Sequence, residues 1–403
     1  MNKQGMLLKN IILAGSATLT PIFLTSILDA NPSLYLYDKF IATEHRRAET
    51  LAGKRIWITG ASSGIGAELA KELSHHGAHL VLSARNEEKL NEVAEECREI
   101  QSVCEKNKRR KWSPSRLFNT NELIEIEKRN TIHTIPMDVT ASLEEIQSKV
   151  RCASKCFKDN DMDILVLNAG RGQLSPALLT DPSSTRELMD INYHAPVNLA
   201  LSVIQQNSWK TNKNKRQRGH IVVTSSVAAK LGTPLSSSYA GTKHAIHGFF
   251  SSLRSECDDW LRIDLPCPGP VSTNLSATAF KNTHHKNKRK EENISSTIQN
   301  KESETFISKS SNASDEKKMS AERCAHLIVS SMIGPSSLFF ETWIAEQPTL
   351  GVLYLTQFFP GIGNSLLGFV GKVRGRAWEE GLPLYETKGL IEAWKMVKRD
   401  NDK

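Results

Sequence analysis

The chain has 403 residues, 39% hydrophobic and 24% charged, enough to bury a core in one large domain or two smaller ones. Its net charge of +8 is concentrated: 106–111, 210–218 and 286–290 hold fourteen Lys/Arg and no acid, and without them the remainder carries −6. Such blocks read as solvated insertions, with contact to an anionic membrane face as the weaker alternative, and no aromatic-interleaved basic stripe accompanies them, so no nucleic-acid partner is expected.

Ile11 to Leu28 contains no charged residue, eighteen positions in all, near the lower limit of the roughly 17–25 that span a bilayer core. Thr18, Thr20, Pro21, Thr25 and Ser26 dilute it. A retained membrane anchor over residues 1–30 is the favoured reading. A cleaved signal peptide, with Ala14-Gly15-Ser16-Ala17 as small residues for cleavage, and a monotopic attachment both compete with it. Lys3 and Lys9 on one side balance Lys39, Arg46 and Arg47 on the other, so charge does not orient the segment.

A linker is expected at 29–52. Thereafter strand-like apolar runs alternate with helical patterns: strand Arg55–Thr59, helix Gly64–His75, strand His79–Ala84, helix Glu87–Glu105, strand Thr131–Met137, helix Leu143–Phe157 and strand Asp163–Asn168. A helix follows around Ser184–Gln206, then strand His220–Thr224, helix Ser238–Asp259 and a sixth strand near Arg262–Cys267. This alternation predicts a doubly wound parallel α/β sheet of Rossmann type with right-handed crossovers. Pro266 falls inside the sixth strand and removes a ladder donor, so fraying is expected there. The stretches 106–130, 209–218 and 280–319 interrupt the pattern. The last is polar, expected to be a flexible insertion, and carries the sequons Asn293-Ile-Ser and Asn312-Ala-Ser. Residues 320–385 resume as an apolar helical extension. Seven cysteines form no Cys-x2-Cys pair and no Cys/His cluster of zinc spacing, so neither a disulfide framework nor a metal site is expected.

Three glycines, Gly60, Gly64 and Gly66, link the first strand to the first helix in the run Thr59-Gly60-Ala61-Ser62-Ser63-Gly64-Ile65-Gly66. Such a turn lets backbone N–H groups approach a pyrophosphate at a helix N-terminus. The second strand ends Leu82-Ser83-Ala84-Arg85 without the acid that usually bonds the ribose of NAD, and Arg85 can pair with a 2′-phosphate. NADP(H) is therefore the expected cofactor. Tyr239 and Lys243 lie four apart on one helical face, thirteen residues after Ser226. A phenol of ordinary pKa near 10 exchanges protons slowly at neutrality, and a neighbouring ammonium favours its ionised form. Tyr239 then suits general acid work on a reduced carbonyl, with Ser226 donating to the substrate oxygen.

The glycine turn, Asp138-Val139, Asn168-Ala169-Gly170, Asn192, Ser226, Tyr239/Lys243 and Pro268-Gly269-Pro270-Val271-Ser272-Thr273 occur in the order of the classical short-chain dehydrogenases/reductases, which residues 50–278 resemble. The tail, with Met319-Ser-Ala-Glu-Arg-Cys and Trp343-Ile-Ala-Glu-Gln-Pro, is similar to a membrane-bound branch of that family. The resemblance implies that Ser62, Ser63, Ile65, Gly269 and Val271 join the glycines around the cofactor. It also implies Asp138 and Val139 beside the adenine, Asn168 to Gly170 as cofactor floor and Thr273 by the nicotinamide amide. Asn192 would hold a water of a proton relay, and Lys243 would grip the nicotinamide ribose. The implied activity is NADPH-dependent reduction of a lipophilic carbonyl, of retinoid or steroid type, at the endoplasmic reticulum membrane, with a second copy of the chain as a candidate partner. An NAD-linked alcohol dehydrogenase working oxidatively and a non-catalytic dinucleotide-binding scaffold are the alternatives. Ser63 stands where many NADP-using relatives carry a basic residue, which leaves the phosphate to Arg85.

Overall fold

The structure, a computed structural model, describes residues 28–112, 131–157, 161–210, 219–275, 278–280, 318–384 and 387–401. The expected anchor at 1–30 and the polar insertion at 280–319 fall almost wholly outside the described residues. Among the described residues no helix is long and apolar enough to cross a membrane.

Seven parallel strands form the sheet: β1 (Arg55–Thr59), β2 (His79–Ser83), β3 (Ile132–Thr134), β4 (Ile164–Leu167), β5 (Gly219–Val223), β6 (Leu261–Pro268) and, after the short pair β7 (Val271–Ser272) and β8 (Met319–Ser320), β9 (Glu341–Ile344). Their spatial order is β3-β2-β1-β4-β5-β6-β9. Side chains alternate across a strand, so one run of apolar residues feeds two cores. From β1, Ile56 and Ile58 enter one core with Leu80 and Leu82 of β2, while Trp57 enters the other with Val81 and Leu165. The first core is closed by α3 (Gly64–His75) through Leu69 and Leu73, by α4 (Glu87–Trp112) through Leu90, and by α9 (Ala321–Ile333) through Leu327 and Ile328. The second is closed by α5 (Leu143–Lys155), α7 (Ala195–Gln206) and α8 (Ser237–Cys257) through Ile146, Leu199 and Phe250. Each such buried side chain contributes about 1.5–3 kcal/mol.

The stretch read as a linker instead forms two helices, α1 (Pro32–Phe40) and α2 (Glu44–Leu51). They are short, and tertiary contacts hold them. Arg47 of α2, 2% exposed, donates to Asp38 Oδ1 of α1 at 2.7 Å and to Ser330 Oγ of α9 at 2.7 Å. Hydrogen bonds to Asp38 and Glu72 push His326 of α9 up to about 9, which keeps a cation in the same network. The sixth strand also departs from expectation, since β6 is continuous through Pro266. Its pairing with β5 ends at Val222–Asp264, and from Leu265 onward β6 pairs with β9, so the proline nitrogen lies beyond the last β5 pair. Ser225 N even donates to the Pro266 carbonyl at 2.8 Å.

The helix expected at Ser184–Gln206 is split into α6 (Pro182–Met189), a π-helical turn at Asp190–His194, and α7. Pro196 has no N–H for the α-helical bond to Asn192, and the Ala195 N–H reaches back to Asp190 instead. The remainder comprises α10 (Ser336–Phe339), α11 (Thr349–Phe358), α12 (Pro360–Glu379) and α13 (Thr387–Asn401). Strand order reverses between β1 and β4, where a doubly wound sheet opens a crevice at its carboxyl edge.

Candidate active site

At that edge β1 turns into α3 through the glycine run. Gly60 and Gly64 take φ of +68° and +56°, values an L side chain rarely adopts. A Cβ on Gly66 would stand 2.2 Å from the Gly60 carbonyl oxygen and 2.5 Å from Asn168 Nδ2. Asn168 Nδ2 donates to the Gly60 carbonyl at 3.3 Å, and Asn168 N donates to Thr59 Oγ1 at 3.1 Å, so the β4 turn braces the β1 turn. Ser63 is the N-cap of α3 but its side chain caps nothing, which leaves the first-turn N–H groups to an external anion. The cradle therefore fits a dinucleotide pyrophosphate.

The other expected cofactor residues line the same edge. Thr273 packs where a Gly64 Cβ would point, 3.1 Å from its methyl, and Gly269 lies so close to Ala345 that a Cβ would stand 2.6 Å from the alanine methyl. Val271 and Ile65 pack against the first core, and Val139 shares a small hollow with Thr59, Ala169 and Ile191. Arg85 leaves β2 toward solvent, 66% exposed, with Nη1 4.0 Å from Asp138 Oδ2. Burial works against the Asp138 carboxylate, but hydrogen bonds from Thr140 and the charge of Arg85 hold its pKa below the usual value.

Beyond the cradle, α8 presents Tyr239 and Lys243. Lys243 Nζ sits 5.8 Å from the centroid of the Tyr239 ring and donates to the Thr224 carbonyl at 3.0 Å. Burial lowers its pKa to about 8. Ser226 follows β5, its Oγ donating to the Pro268 carbonyl at 3.3 Å and accepting from Ala228 N at 3.1 Å. The π-helical turn carries Asn192, whose Oδ1 accepts from Arg171 N at 2.9 Å and whose Nδ2 donates to the Arg171 carbonyl at 2.9 Å and to Thr242 Oγ1 at 3.2 Å. Gly170 lies between them: a Cβ there would be 3.2 Å from Asn192 Oδ1 and 3.9 Å from Lys243 Nζ. All four expected catalytic side chains thus come to one edge with the cradle.

Several supporting residues escape sequence reasoning. Gln173 Oε1 accepts the Tyr239 backbone N–H at 3.1 Å, fixing the start of α8, just after Leu235 at φ +66°. Arg171 stacks over the Phe280 ring at 3.6 Å and pairs with Glu187 at 2.8 Å, which ties the segment after Thr273 to α6. Behind Ser226, His247 Nε2 lies 2.8 Å from Ser225 Oγ, and Glu341 pairs with Lys230 at 2.7 Å and with His247 Nδ1 at 3.4 Å. Burial opposes the Glu341 carboxylate, yet hydrogen bonds from His247, Lys230 and Trp343 hold it at about 2. Gln173 and Glu341 lie 66 and 102 residues from Tyr239 along the chain, and no spacing signals such partners.

A nucleotide cradle beside a Ser-Tyr-Lys cluster on a doubly wound sheet defines an oxidoreductase of the short-chain dehydrogenase type. The chain belongs to that family: the pattern described as short chain dehydrogenase matches residues 54–107 and 111–284. Human dehydrogenase/reductase SDR family member 7 is 30% identical over 329 residues, 81% of this chain and 80% of the relative. The Dictyostelium discoideum dehydrogenase/reductase SDR family protein 7-like is 33% identical over 255 residues, 62% of this chain and 70% of its own. Among solved structures, a short-chain dehydrogenase/reductase of Burkholderia phymatum in complex with NAD gives a TM-score of 0.55 at 18% identity, covering 78% of this chain and 96% of that one. An alcohol dehydrogenase of the archaeon Thermococcus sibiricus, complexed with 5-hydroxy-NADP, gives 0.51 at 19% identity, with 73% and 97% covered. At these identities the two solved structures share the fold.

Proposed function

We propose that this protein is an NADPH-dependent reductase of lipophilic carbonyl compounds at the endoplasmic reticulum membrane. The observation that carries the reading is the convergence of Ser226, Tyr239, Lys243 and Asn192 on the cradle edge. When bound there, NADPH supplies the hydride. Gly60, Ser62, Ser63, Gly64, Ile65 and Gly66 would hold its pyrophosphate, Asn168 to Gly170 would form the floor, and Asp138 and Val139 would flank the adenine. Gly269, Val271 and Thr273 would close the nicotinamide side, and Lys243 would grip the ribose. Ser226 Oγ donates to the substrate oxygen, stabilising charge as it develops. Tyr239 gives up the phenolic proton to that oxygen, and Asn192 holds the water through which Tyr239 is reprotonated.

Lys243 carries a pH consequence. Its pKa sits at about 8, so the ammonium facing Tyr239 is lost as pH rises through that value. The kcat/KM for reduction is expected to fall above about pH 8, and Lys243→Arg, whose guanidinium stays charged, to remove that fall from whatever rate remains. A wild-type profile flat to pH 10 overturns the assignment.

Arg85 supports NADP over NAD. A guanidinium contact to a phosphate contributes about 1.5–3 kcal/mol. Arg85→Ala is therefore expected to raise the NADP dissociation constant roughly 10–100-fold while leaving that for NAD unchanged. Equal losses for both would favour the NAD-linked dehydrogenase.

The lipophilic substrate class rests on the surroundings of Ser226. Val227 and Leu231, immediately downstream, share a core cluster with Ala345, Leu350 and Leu353 of the C-terminal extension and with Leu28. Leu28 thus packs beside the residues that follow Ser226. Phe358, Phe359, Ile362 and Phe369 stand exposed along α11, α12 and the junction between them in the same extension. A screen of retinal, ketosteroids and small aldehydes with NADPH on the membrane fraction tests the reading; no turnover across that range would sink it.

A further inference from the structure

At the far end of α3 from the cradle, two elements bring together three side chains with metal-ligating atoms. Glu44 opens α2; His75 is the last residue of α3, and His76 its C-cap. Glu44 Oε2 lies 3.7 Å from His75 Nε2 and 3.9 Å from His76 Nδ1, and the three ligand atoms all fall within 4.8 Å of one another. These separations are too long for hydrogen bonds. Tetrahedral zinc, with bonds of about 2.0–2.1 Å, needs neighbouring ligand atoms about 3.3 Å apart. Small movements of the exposed Glu44 and His75 side chains supply the difference.

Each ring has a neighbour at the nitrogen that faces away from Glu44. His76 is 2% exposed, and its Nε2 has no hydrogen-bond partner within reach but faces Glu72 Oε1 at 3.5 Å. His326 Nδ1 approaches the same Glu72 oxygen at 3.0 Å. A proton on His76 Nε2 toward that carboxylate leaves the Nδ1 lone pair facing Glu44. His75 Nδ1 lies 3.3 Å from Cys104 Sγ of α4, and a proton on this nitrogen leaves the Nε2 lone pair facing the same carboxylate. A ligating histidine with its other nitrogen fixed by a carboxylate or comparable acceptor is the usual arrangement in metal sites. The other Glu44 oxygen, Oε1, is turned to Arg47 at 3.5 Å, which leaves Oε2 directed at the histidines.

We propose that Glu44, His75 and His76 bind one divalent cation of zinc type, with solvent in the fourth position. The mixed imidazole and carboxylate set suits Zn2+ over Mg2+ or Ca2+. The ion would fasten α2, which follows α1 near the start of the described chain, to the helix whose opposite end forms the nucleotide cradle. Its role is to lock that junction, and no step of the reaction runs through it.

The test uses the full chain in detergent, stripped with a chelator and titrated with Zn2+ against a chromogenic zinc indicator. One tight site per chain is expected, with a rise in thermal unfolding temperature on loading and tetrahedral d–d bands when Co2+ replaces zinc. His75→Ala and Glu44→Gln, both at exposed positions, should each weaken binding at least ~10-fold and abolish the thermal shift. The pair His284→Ala and His285→Ala, another histidine pair in the sequence, should leave both intact. Cys104→Ser should weaken binding less than His75→Ala. Binding unchanged in His75→Ala, or lost in the His284/His285 variant instead, overturns the site.

Discussion

Tyr239→Phe is expected to lower carbonyl turnover about 1000-fold, within the range that a positioned acid contributes. Phenylalanine keeps the ring that Lys243 Nζ faces at 5.8 Å and the backbone N–H that Gln173 holds at 3.1 Å. Only the proton donor is removed, so NADPH affinity and thermal stability should match the wild type. Single-turnover kinetics with saturating NADPH separate the loss from any binding effect. If turnover fell by less than tenfold, another group would be delivering the proton. If cellular function survived a full loss of turnover, the scaffold alternative would gain.

Gly66→Ala should be the most damaging of the small substitutions on the cradle. Its methyl would stand 2.2 Å from the Gly60 carbonyl oxygen, a backbone atom, and 2.5 Å from Asn168 Nδ2, which braces the turn. The Gly60 carbonyl cannot swing aside as a flexible side-chain tip could, so the β1 turn must separate from α3. Overpacking of this kind costs about 3 kcal/mol, and dinucleotide binding should be lost with it. Gly248→Ala, where a Cβ meets nothing within 4 Å inside α8, should be neutral or slightly stabilising. Denaturant melts of the two variants check the contrast, and equal stability would show that the turn relaxes.

Much of this was legible from residue pattern. The bounds of β1 and α3 follow from an apolar run ending in a glycine-rich turn, and the order of Ser226, Tyr239 and Lys243 points to one edge. Pattern fails where a partner is distant or a local rule is overridden. Glu341-Thr342-Trp343-Ile344 carries too mixed a composition to read as a strand, and becomes β9 because β6 offers it an edge. Pro266 argues for fraying only if β5 is its partner, and β5 pairing has already ended. The 29–52 stretch lacks a strong apolar stripe. Arg47, Asp38 and Ser330 hold its helices through contacts nearly 300 residues apart in sequence. The His75–His76 pair is visible in the sequence, but nothing there places Glu44 beside it.

The short pair β7–β8 joins Val271 to Met319 and Ser272 to Ser320, forty-eight positions apart. It pins both ends of the intervening stretch independently of that stretch's own content. The closure entropy of a loop grows only logarithmically, so halving its length changes the free energy by about 0.6 kcal/mol. With Phe280 also bridged to Gln173, the residues on either side of 281–317 are tied to the catalytic edge by contacts of their own, so a change in the length of that interval is expected to leave the edge in place. A reporter inserted between the β7 and β8 contacts is therefore expected to leave turnover unchanged, which a direct assay of the fusion checks.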